Sequence, residues 1–121
     1  MIPTAILIHV QNVALGIEWY QKAFPTAESV YHPSFDFTVL NLNGFSLEIV
    51  QADEKVGSGK CGTVLYWSVN YLDKALDHFE ELGAKLYRGP MAIENGLFMC
   101  QIEDPFGNLI GLRGATTLQV V

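Results

Sequence analysis

The sequence predicts an α+β fold built from two tandem βαβββ modules that form a curved mixed sheet. Three observations support this: a strand pattern followed by a helix pattern occurs twice, the two halves align, and a polar, glycine-rich stretch over 51–62 separates them. Helices on one face of the sheet would bury a common core and leave a cleft on the other face. We therefore expect one domain over 1–121, with modules at about 1–52 and 62–121 joined by a Gly-rich linker.

The first module begins with a short strand, residues 5–10, and a helix. Asn12 is a suitable N-cap, because its side-chain oxygen can accept from a free backbone N–H at the start of a helix. Apolar residues then recur at helical spacing up to Pro25, which ends the helix.

The second module repeats this order. Residues 63–69 form a strand pattern, and apolar residues at helical spacing predict a helix over 72–82 that Gly83 ends. A short strand is expected at 84–87.

A hairpin closes each module. Its strands are predicted at 35–42 with 45–50 in the first module, and at 97–103 with 108–113 in the second. Asn43-Gly44 favours a tight turn because both residues tolerate positive φ, and the Asp104-Pro105-Phe106-Gly107 stretch is typical of a turn as well.

The two halves align without gaps over two stretches. One constant offset, in the opening strand and helix, aligns Val10 with Val69, Ile17 with Leu76 and Tyr20 with Phe79. A second offset, in the hairpins, aligns Phe35 with Phe98, Gly44 with Gly107, Leu47 with Ile110 and Ile49 with Leu112. The offset changes in the loop after the helix, where insertions are tolerated. The alignment indicates an internal duplication.

Composition excludes several classes of function. The net charge of −6 and the scattered basic residues argue against nucleic acid or an anionic membrane surface as partner. We find no signal peptide pattern and no apolar run of about 20 residues that could cross a membrane. Two cysteines, Cys61 and Cys100, are too few for a disulfide framework, so we expect free thiols and a cytoplasmic protein.

Side chains alternate between the two faces of a strand, so each predicted strand has an apolar row and an opposing row. The opposing rows contain His9, Glu48, Tyr66, Ser68, Gln101 and Arg113. Such a mixture of polar and aromatic groups on one sheet face is typical of a ligand cleft, although a solvated face or a dimer contact would give the same pattern. Trp67 and Cys100 fall on the apolar rows and are expected in the core, whereas His78 is expected to be exposed on its helix.

Two segments resemble a known family. HVQNVALGIEWYQKAF (9–24) and DPFGNLIGL (104–112) resemble the opening and closing signatures of the vicinal oxygen chelate superfamily, and the similarity extends over nearly the whole chain. That superfamily includes glyoxalase I, extradiol dioxygenases, fosfomycin-resistance enzymes and bleomycin-binding proteins. The resemblance implies a glyoxalase-like domain with a cleft between paired modules, and a homodimer.

The resemblance also places the usual metal ligands of the family's enzymes. They would be at Ala5, Glu48, Val64 and Gly111, of which only Glu48 has a donor atom. One carboxylate cannot hold a divalent ion that takes three or more protein ligands, so we expect no metal and no other cofactor. A rebuilt metal site from His9, Glu48 and His32 is the alternative.

Three functions follow as hypotheses. The first is a metal-independent small-molecule-binding protein that resembles the bleomycin-resistance members, with His9, Glu48, Tyr66, Ser68, Gln101 and Arg113 as the ligand-binding residues. The second is a lyase, isomerase or dioxygenase-type enzyme with a rebuilt site, in which Glu48 would be the base and His9 the acid or an orienting group. The third is a non-catalytic dimerisation module. The sequence identifies neither the ligand nor a catalytic residue beyond the candidates Glu48 and His9.

Overall fold

The computed structural model describes residues 1–118. The chain forms two compact units, Met1–Ser58 and a second that begins at Gly59. Each unit has one α-helix and a mixed sheet of four strands, which confirms the predicted α+β fold of two βαβββ modules.

The first unit contains the first sheet. Its elements are β1 (Ala5–Val10), α1 (Val13–Ala23), β2 (Glu28–His32), β3 (Phe37–Leu42) and β4 (Phe45–Gln51). The strand order is β1-β4-β3-β2. β1 runs parallel to β4, and the other pairs are antiparallel.

The second unit contains the second sheet. Its elements are β5 (Tyr66–Tyr71), α2 (Leu72–Glu81), β6 (Lys85–Ala92), β7 (Phe98–Glu103) and β8 (Leu109–Ala115). The strand order is β5-β8-β7-β6, with β5 parallel to β8. Because this order and these directions reproduce those of the first sheet, the predicted internal repeat is confirmed.

The helix of the first unit packs closely on its sheet. Asn12 is the N-cap as predicted, and its Oδ1 accepts from the Leu15 N–H at 3.1 Å. Gly16 faces the sheet, where a Cβ atom would come within 2.7 Å of the Ile49 Cγ2 atom. The absence of a side chain at Gly16 therefore sets the distance between α1 and β4.

The repeated apolar positions form the two cores. Fully or nearly fully buried residues include Val10, Tyr20, Leu47 and Ile49 in the first unit and Phe79, Ile110 and Leu112 in the second. Of the other aligned apolar residues, Ile17, Val69, Leu76 and Phe98 are half-buried, and Phe35 is exposed.

The two antiparallel edge strands, β2 and β6, differ from the prediction. β2 was not predicted at all, and β6 is longer than the strand expected at 84–87. The strand predicted from residue 35 begins only at Phe37, because Pro33–Phe35 form a 3₁₀ turn and Asp36 has a left-handed φ of 47°.

The strand predicted over 63–69 is wrong at both ends, since β5 covers Tyr66–Tyr71. Its pairing with β8 begins at Tyr66, opposite Gly111, and continues to Tyr71, opposite Ala115. Val64 therefore lies before the strand.

The turn of the second hairpin forms around a buried carboxylate. Asp104 is 3% exposed, and its Oδ1 accepts from the Phe106 N–H at 2.8 Å and the Asn108 N–H at 2.9 Å. Gly107 takes a φ of 89°. The predicted turn is confirmed.

Four predicted side-chain environments can now be compared with the structure. Cys100 is buried as expected, and it and the exposed Cys61 are both free. The expectation of an exposed His78 is wrong: the side chain is half-buried, with its ring edge-to-face with Phe79 at 5.3 Å. Trp67 is half-buried rather than in the core.

Neither α1 nor α2 has the length and apolar character needed to cross a membrane.

Candidate functional site

One row of side chains crosses the face of the second sheet from β5 to β7. Tyr66 and Gln101 both stand opposite Gly111, on its two sides. The three residues therefore share one face, as the alternation of their strands predicted.

The Tyr66 ring lies over the backbone of β8. A Cβ atom at Gly111 would be 2.6 Å from the Tyr66 Cγ atom and 2.7 Å from both Cδ atoms, closer than real contacts allow. The Gln101 Nε2 donates to the Tyr66 hydroxyl at 2.8 Å from the far side. The ring is thus fixed at both ends, by its own strand and by β7.

Arg113 covers the same ring. It lies two residues along β8 from Gly111, opposite Ser68 on β5, so its side chain emerges on the same face. The Cζ atom is 4.7 Å from the centroid of the Tyr66 ring, within the range of a cation–π contact. Arg113 is exposed, and no carboxylate among residues 59–118 forms an ion pair with it.

A pocket of about 440 Å³ opens beside Arg113 at the carboxyl ends of β5 and β8. Its lining includes Tyr66, Trp67, Ser68, Asn70, Leu97 and Arg113. β5 is bulged here, since its register against β8 shifts between Ser68 and Tyr71. The bulge brings the Val69 carbonyl so near Gly114 that a side chain at residue 114 would collide with it.

Two further contacts on this face were not foreseen from the sequence. Lys60 Nζ pairs with Glu103 Oε1 at 3.1 Å and lies 5.9 Å from the Tyr87 ring centroid. Arg88, on the edge strand β6, is in register with Gln101 but does not line the pocket. The irregular pairing of β6 breaks the simple alternation of faces, so the positions of Tyr87 and Arg88 did not follow from the sequence.

His9 and Glu48 share a face of the first sheet. Leu7 stands opposite Glu48, and His9 stands opposite Val50, one step further along the same face. Both His9 and Glu48 are half-buried.

The Asp53 carboxylate accepts from the Lys55 N–H at 2.9 Å and the Val56 N–H at 2.8 Å. These two bonds lower the pKa of Asp53, and the nearby charge of His9 adds a smaller effect in the same direction. The loop after β4 thus places a carboxylate within electrostatic reach of His9.

The donor set does not fit the metal centre that the resemblance implies. Ala5 stands opposite Ser46 in the first sheet, and Val64 precedes β5. The space over Gly111 is filled by the Tyr66 ring. Only Glu48 offers a ligand atom among the four positions. Nowhere in residues 1–118 do three His, Cys, Asp or Glu side chains meet in a way that could hold a metal ion.

Strand order separates the residues of the alternative, rebuilt metal site. His9 is on β1 and His32 ends β2, and these strands form opposite edges of the first sheet. Glu48, on β4, adjoins only one of the two.

The family model of the Glyoxalase/Bleomycin resistance protein/Dioxygenase superfamily matches residues 3–112. The chain belongs to this superfamily. The resemblance seen in the sequence is therefore confirmed, whereas none of the curated proteins matches the chain significantly.

Solved structures of the glyoxalase superfamily have the same fold. A glyoxalase/bleomycin resistance protein/dioxygenase family enzyme from Burkholderia phytofirmans PsJN superposes with a TM-score of 0.74 at 17% identity, covering 95% of this chain and 99% of that one. The fosfomycin resistance protein FosX from Listeria monocytogenes gives a TM-score of 0.73 at 16% identity, with 97% of each chain covered. FosX from Mesorhizobium loti gives a TM-score of 0.69 at 13% identity, covering 97% of this chain and 93% of that one.

The two modules of this glyoxalase-superfamily chain differ at equivalent positions of their sheets. Leu7 faces Glu48 in the first sheet, where the second sheet has Tyr66 facing Gly111. The first sheet thus has an aliphatic residue beside a carboxylate, and the second sheet has an aromatic residue over a glycine.

Proposed function

We propose that the protein is a metal-independent small-molecule-binding member of the glyoxalase/bleomycin resistance superfamily. The proposal rests above all on the Tyr66 ring, which fills the space over Gly111 where the resemblance would place a metal ligand. The proposed ligand-binding residues are His9 and Glu48 in the first unit and Tyr66, Ser68, Gln101 and Arg113 in the second.

The geometry of the second sheet supports binding by shape and a few polar anchors. Small-molecule sites are concave and mostly apolar, with a small number of placed polar groups, and they usually enclose about 300–1,000 Å³. The pocket of about 440 Å³ has aromatic walls at Tyr66 and Trp67 and polar groups at Ser68, Asn70 and Arg113. The ring of Tyr66 is held by Gln101, so this wall is formed before a ligand arrives.

A thermal-shift screen against metabolites and drugs, run in the presence of EDTA, tests the proposal. A ligand at one hundred times its Kd would stabilise the folded state by about 2.7 kcal/mol, which is easily measured. Stabilisation that survives EDTA and is reduced in a Tyr66→Ala variant supports metal-independent binding. Stabilisation only after a divalent metal is added, or none by any compound, overturns it.

A second candidate is an enzyme of the same superfamily that uses Glu48 and His9. The shared face of these half-buried residues on the first sheet favours it, because a carboxylate and an imidazole suit base and acid roles. Each ligand found by the screen is incubated with the wild type and with Glu48→Gln, and products are sought by mass spectrometry. Conversion by the wild type alone supports catalysis, whereas no conversion of any bound ligand contradicts it.

We also propose that the protein is a cytoplasmic homodimer in which the two units of each chain form one domain. Exposed apolar residues on the edge strand β6, at Leu86, Tyr87 and Met91, and the free thiols of Cys61 and Cys100 support these proposals. Analytical ultracentrifugation, cell fractionation and a single cooperative unfolding transition are the tests. A dimer that binds none of the screened compounds would favour the dimerisation module instead.

A further inference from the structure

The guanidinium of Arg113 has hydrogen-bond donors that no carboxylate among residues 59–118 uses in an ion pair. The guanidinium makes a cation–π contact with the Tyr66 ring, whose π face attracts the positive charge. A guanidinium carries five N–H donors, and a ring contact leaves those at its edge available. Since Arg113 is exposed and lines the pocket, these donors can reach a molecule inside it.

The acidic side chain on the same face is already engaged. Glu103 stands opposite Leu109, two residues before Gly111 on β8, so it belongs to the face of Tyr66 and Arg113. Lys60 pairs with it at 3.1 Å. The charge of Arg113 is therefore left for a negatively charged ligand.

The rest of the pocket fixes the size and polarity of that ligand. Trp67, Leu97 and Ala115 supply apolar surface, and the cavity of about 440 Å³ suits a molecule of small-metabolite size. A net charge of −6 on the chain repels multiply charged anions more strongly than singly charged ones. The planar fork of an arginine matches a carboxylate through two parallel hydrogen bonds.

We propose that this pocket binds a small organic monocarboxylate with an apolar body, its carboxylate on Arg113 and its body against Trp67 and Leu97. The inference rests on the proposed small-molecule-binding function and specifies its ligand class. Tyr66 positions Arg113 in this arrangement, because its ring lies beneath the guanidinium.

The test uses three carboxylates, benzoate, phenylacetate and 3-methylbutanoate, each with its neutral amide as the matched probe. Binding to the full chain is followed by NMR, reading the Arg113 Nε–H and the Gln101 side-chain amide as local reporters. Arg113→Met should weaken carboxylate binding by at least about tenfold. Arg113→Lys should weaken it less, because lysine keeps the positive charge but lacks the planar pair of donors. Lys74→Met is the control, since it removes one positive charge from α2 of the same unit without touching the pocket.

Each outcome has a clear meaning. Carboxylate binding that is lost in Arg113→Met, kept within about twofold in Lys74→Met and absent for the amides supports the inference. Amides that bind as well as the acids, or binding unchanged in Arg113→Met, overturn the ligand class and leave the proposed function standing. If these probes and the wider screen in EDTA all fail to bind, both proposals fall. Circular dichroism of each variant confirms that the fold is intact.

Discussion

Gly111 lies directly beneath the ring of Tyr66, so close that the two residues are complementary in shape. A Cβ atom on Gly111 would come within 2.6 Å of the Tyr66 Cγ atom, and the ring hydroxyl accepts from the Gln101 amide on the next strand. In the first sheet the equivalent position is Glu48, beside the smaller Leu7. The second sheet therefore has an aromatic ring over a glycine where the first sheet has a leucine beside a carboxylate.

A Gly111→Ala substitution should therefore destabilise the protein by about 1–3 kcal/mol, the usual cost of forcing an extra carbon into a packed site. The added methyl must push the Tyr66 ring away from β8 and strain its hydrogen bond with Gln101. Urea denaturation of the variant and the wild type measures the difference in the free energy of unfolding.

Two controls isolate the clash. Gly57→Ala adds the same methyl where nothing lies within 4 Å and should change stability by less than about 0.5 kcal/mol. In a Tyr66→Ala background, Gly111→Ala should destabilise the protein much less, because the ring that the methyl would strike is absent. A Gly111→Ala variant as stable as the wild type would show that the ring does not rest on this residue.

Metal removal should leave the protein unchanged. Because Glu48 is alone among the four expected ligand positions, EDTA or saturating Zn²⁺, Mn²⁺ or Ni²⁺ should shift Tm by less than about 1 °C. Differential scanning fluorimetry makes the comparison, with Glu48→Gln as the control that separates a site at this residue from incidental surface binding. A shift of several degrees in the wild type that disappears in Glu48→Gln would contradict the prediction.

The elements that the sequence predicted are those with a buried face. The two helices, both hairpin turns and the central strands follow from apolar periodicity and turn chemistry, because burial imposes a pattern on them. The edge strand β2 buries none of its residues and every residue of β6 is exposed, so their sequences contain no such alternation.

The candidate site was predicted in part for the same reason. The regular pairing of β5, β8 and β7 placed Tyr66 and Gln101 on one face, where they are hydrogen-bonded. Trp67 was assigned to the core because a uniform strand would put it there, but β5 is bulged nearby and its end is open as a pocket. A bulge depends on the partner strand, here at Gly114, and has no signal within β5 itself.

Among the acidic residues of the second hairpin, the buried Asp104 should reduce stability most when it is replaced. Asp104→Ala would leave the backbone N–H groups of Phe106 and Asn108 without their acceptor inside the turn, at a cost of about 2–4 kcal/mol. Asp104→Asn keeps an oxygen acceptor and should cost less. Urea denaturation measures both variants.

Asp53 provides a matched comparison for Asp104. Its Oδ1 likewise accepts from two backbone N–H groups, those of Lys55 and Val56, but the residue is exposed. Asp53→Ala should therefore cost much less than Asp104→Ala, because water replaces the lost acceptor. Equal losses at the two positions would show that burial is not what makes the Asp104 turn important.

The free thiols should differ sharply in reactivity. Burial raises the pKa of Cys100 to about 11, so almost no thiolate forms at pH 8, and the side chain is also inaccessible. Cys61 is exposed. Ellman's reagent should titrate one thiol in the native protein and two in 6 M guanidinium chloride. Cys61→Ser should abolish the native reaction, whereas a rapid native reaction of two thiols would contradict the buried position of Cys100.

The contact between α2 and the segment after β8 should weaken in acid. The Asp73 carboxylate accepts from the Thr117 hydroxyl and from the Thr117 N–H at 2.9 Å, and these bonds lower the pKa of Asp73 below its usual 3.8. A carboxyl whose pKa is lower in the folded state stabilises that state above the unfolded pKa, and loses this effect as the pH falls through the folded pKa. We therefore expect the contact to persist at neutral pH and to be lost only as the pH falls through the folded-state pKa, which lies below 3.8.

NMR titration of the Asp73 carboxyl carbon measures this directly, with the Thr117 amide as a second reporter of the same contact. The Asp73 midpoint should lie below 3.8 in the wild type and move back toward that value in Thr117→Val, which removes the hydroxyl donor and keeps the amide. In Asp73→Asn, the Thr117 amide signal should no longer change through the acid range. An Asp73 midpoint that Thr117→Val leaves unmoved would mean that the hydroxyl does not hold this carboxylate.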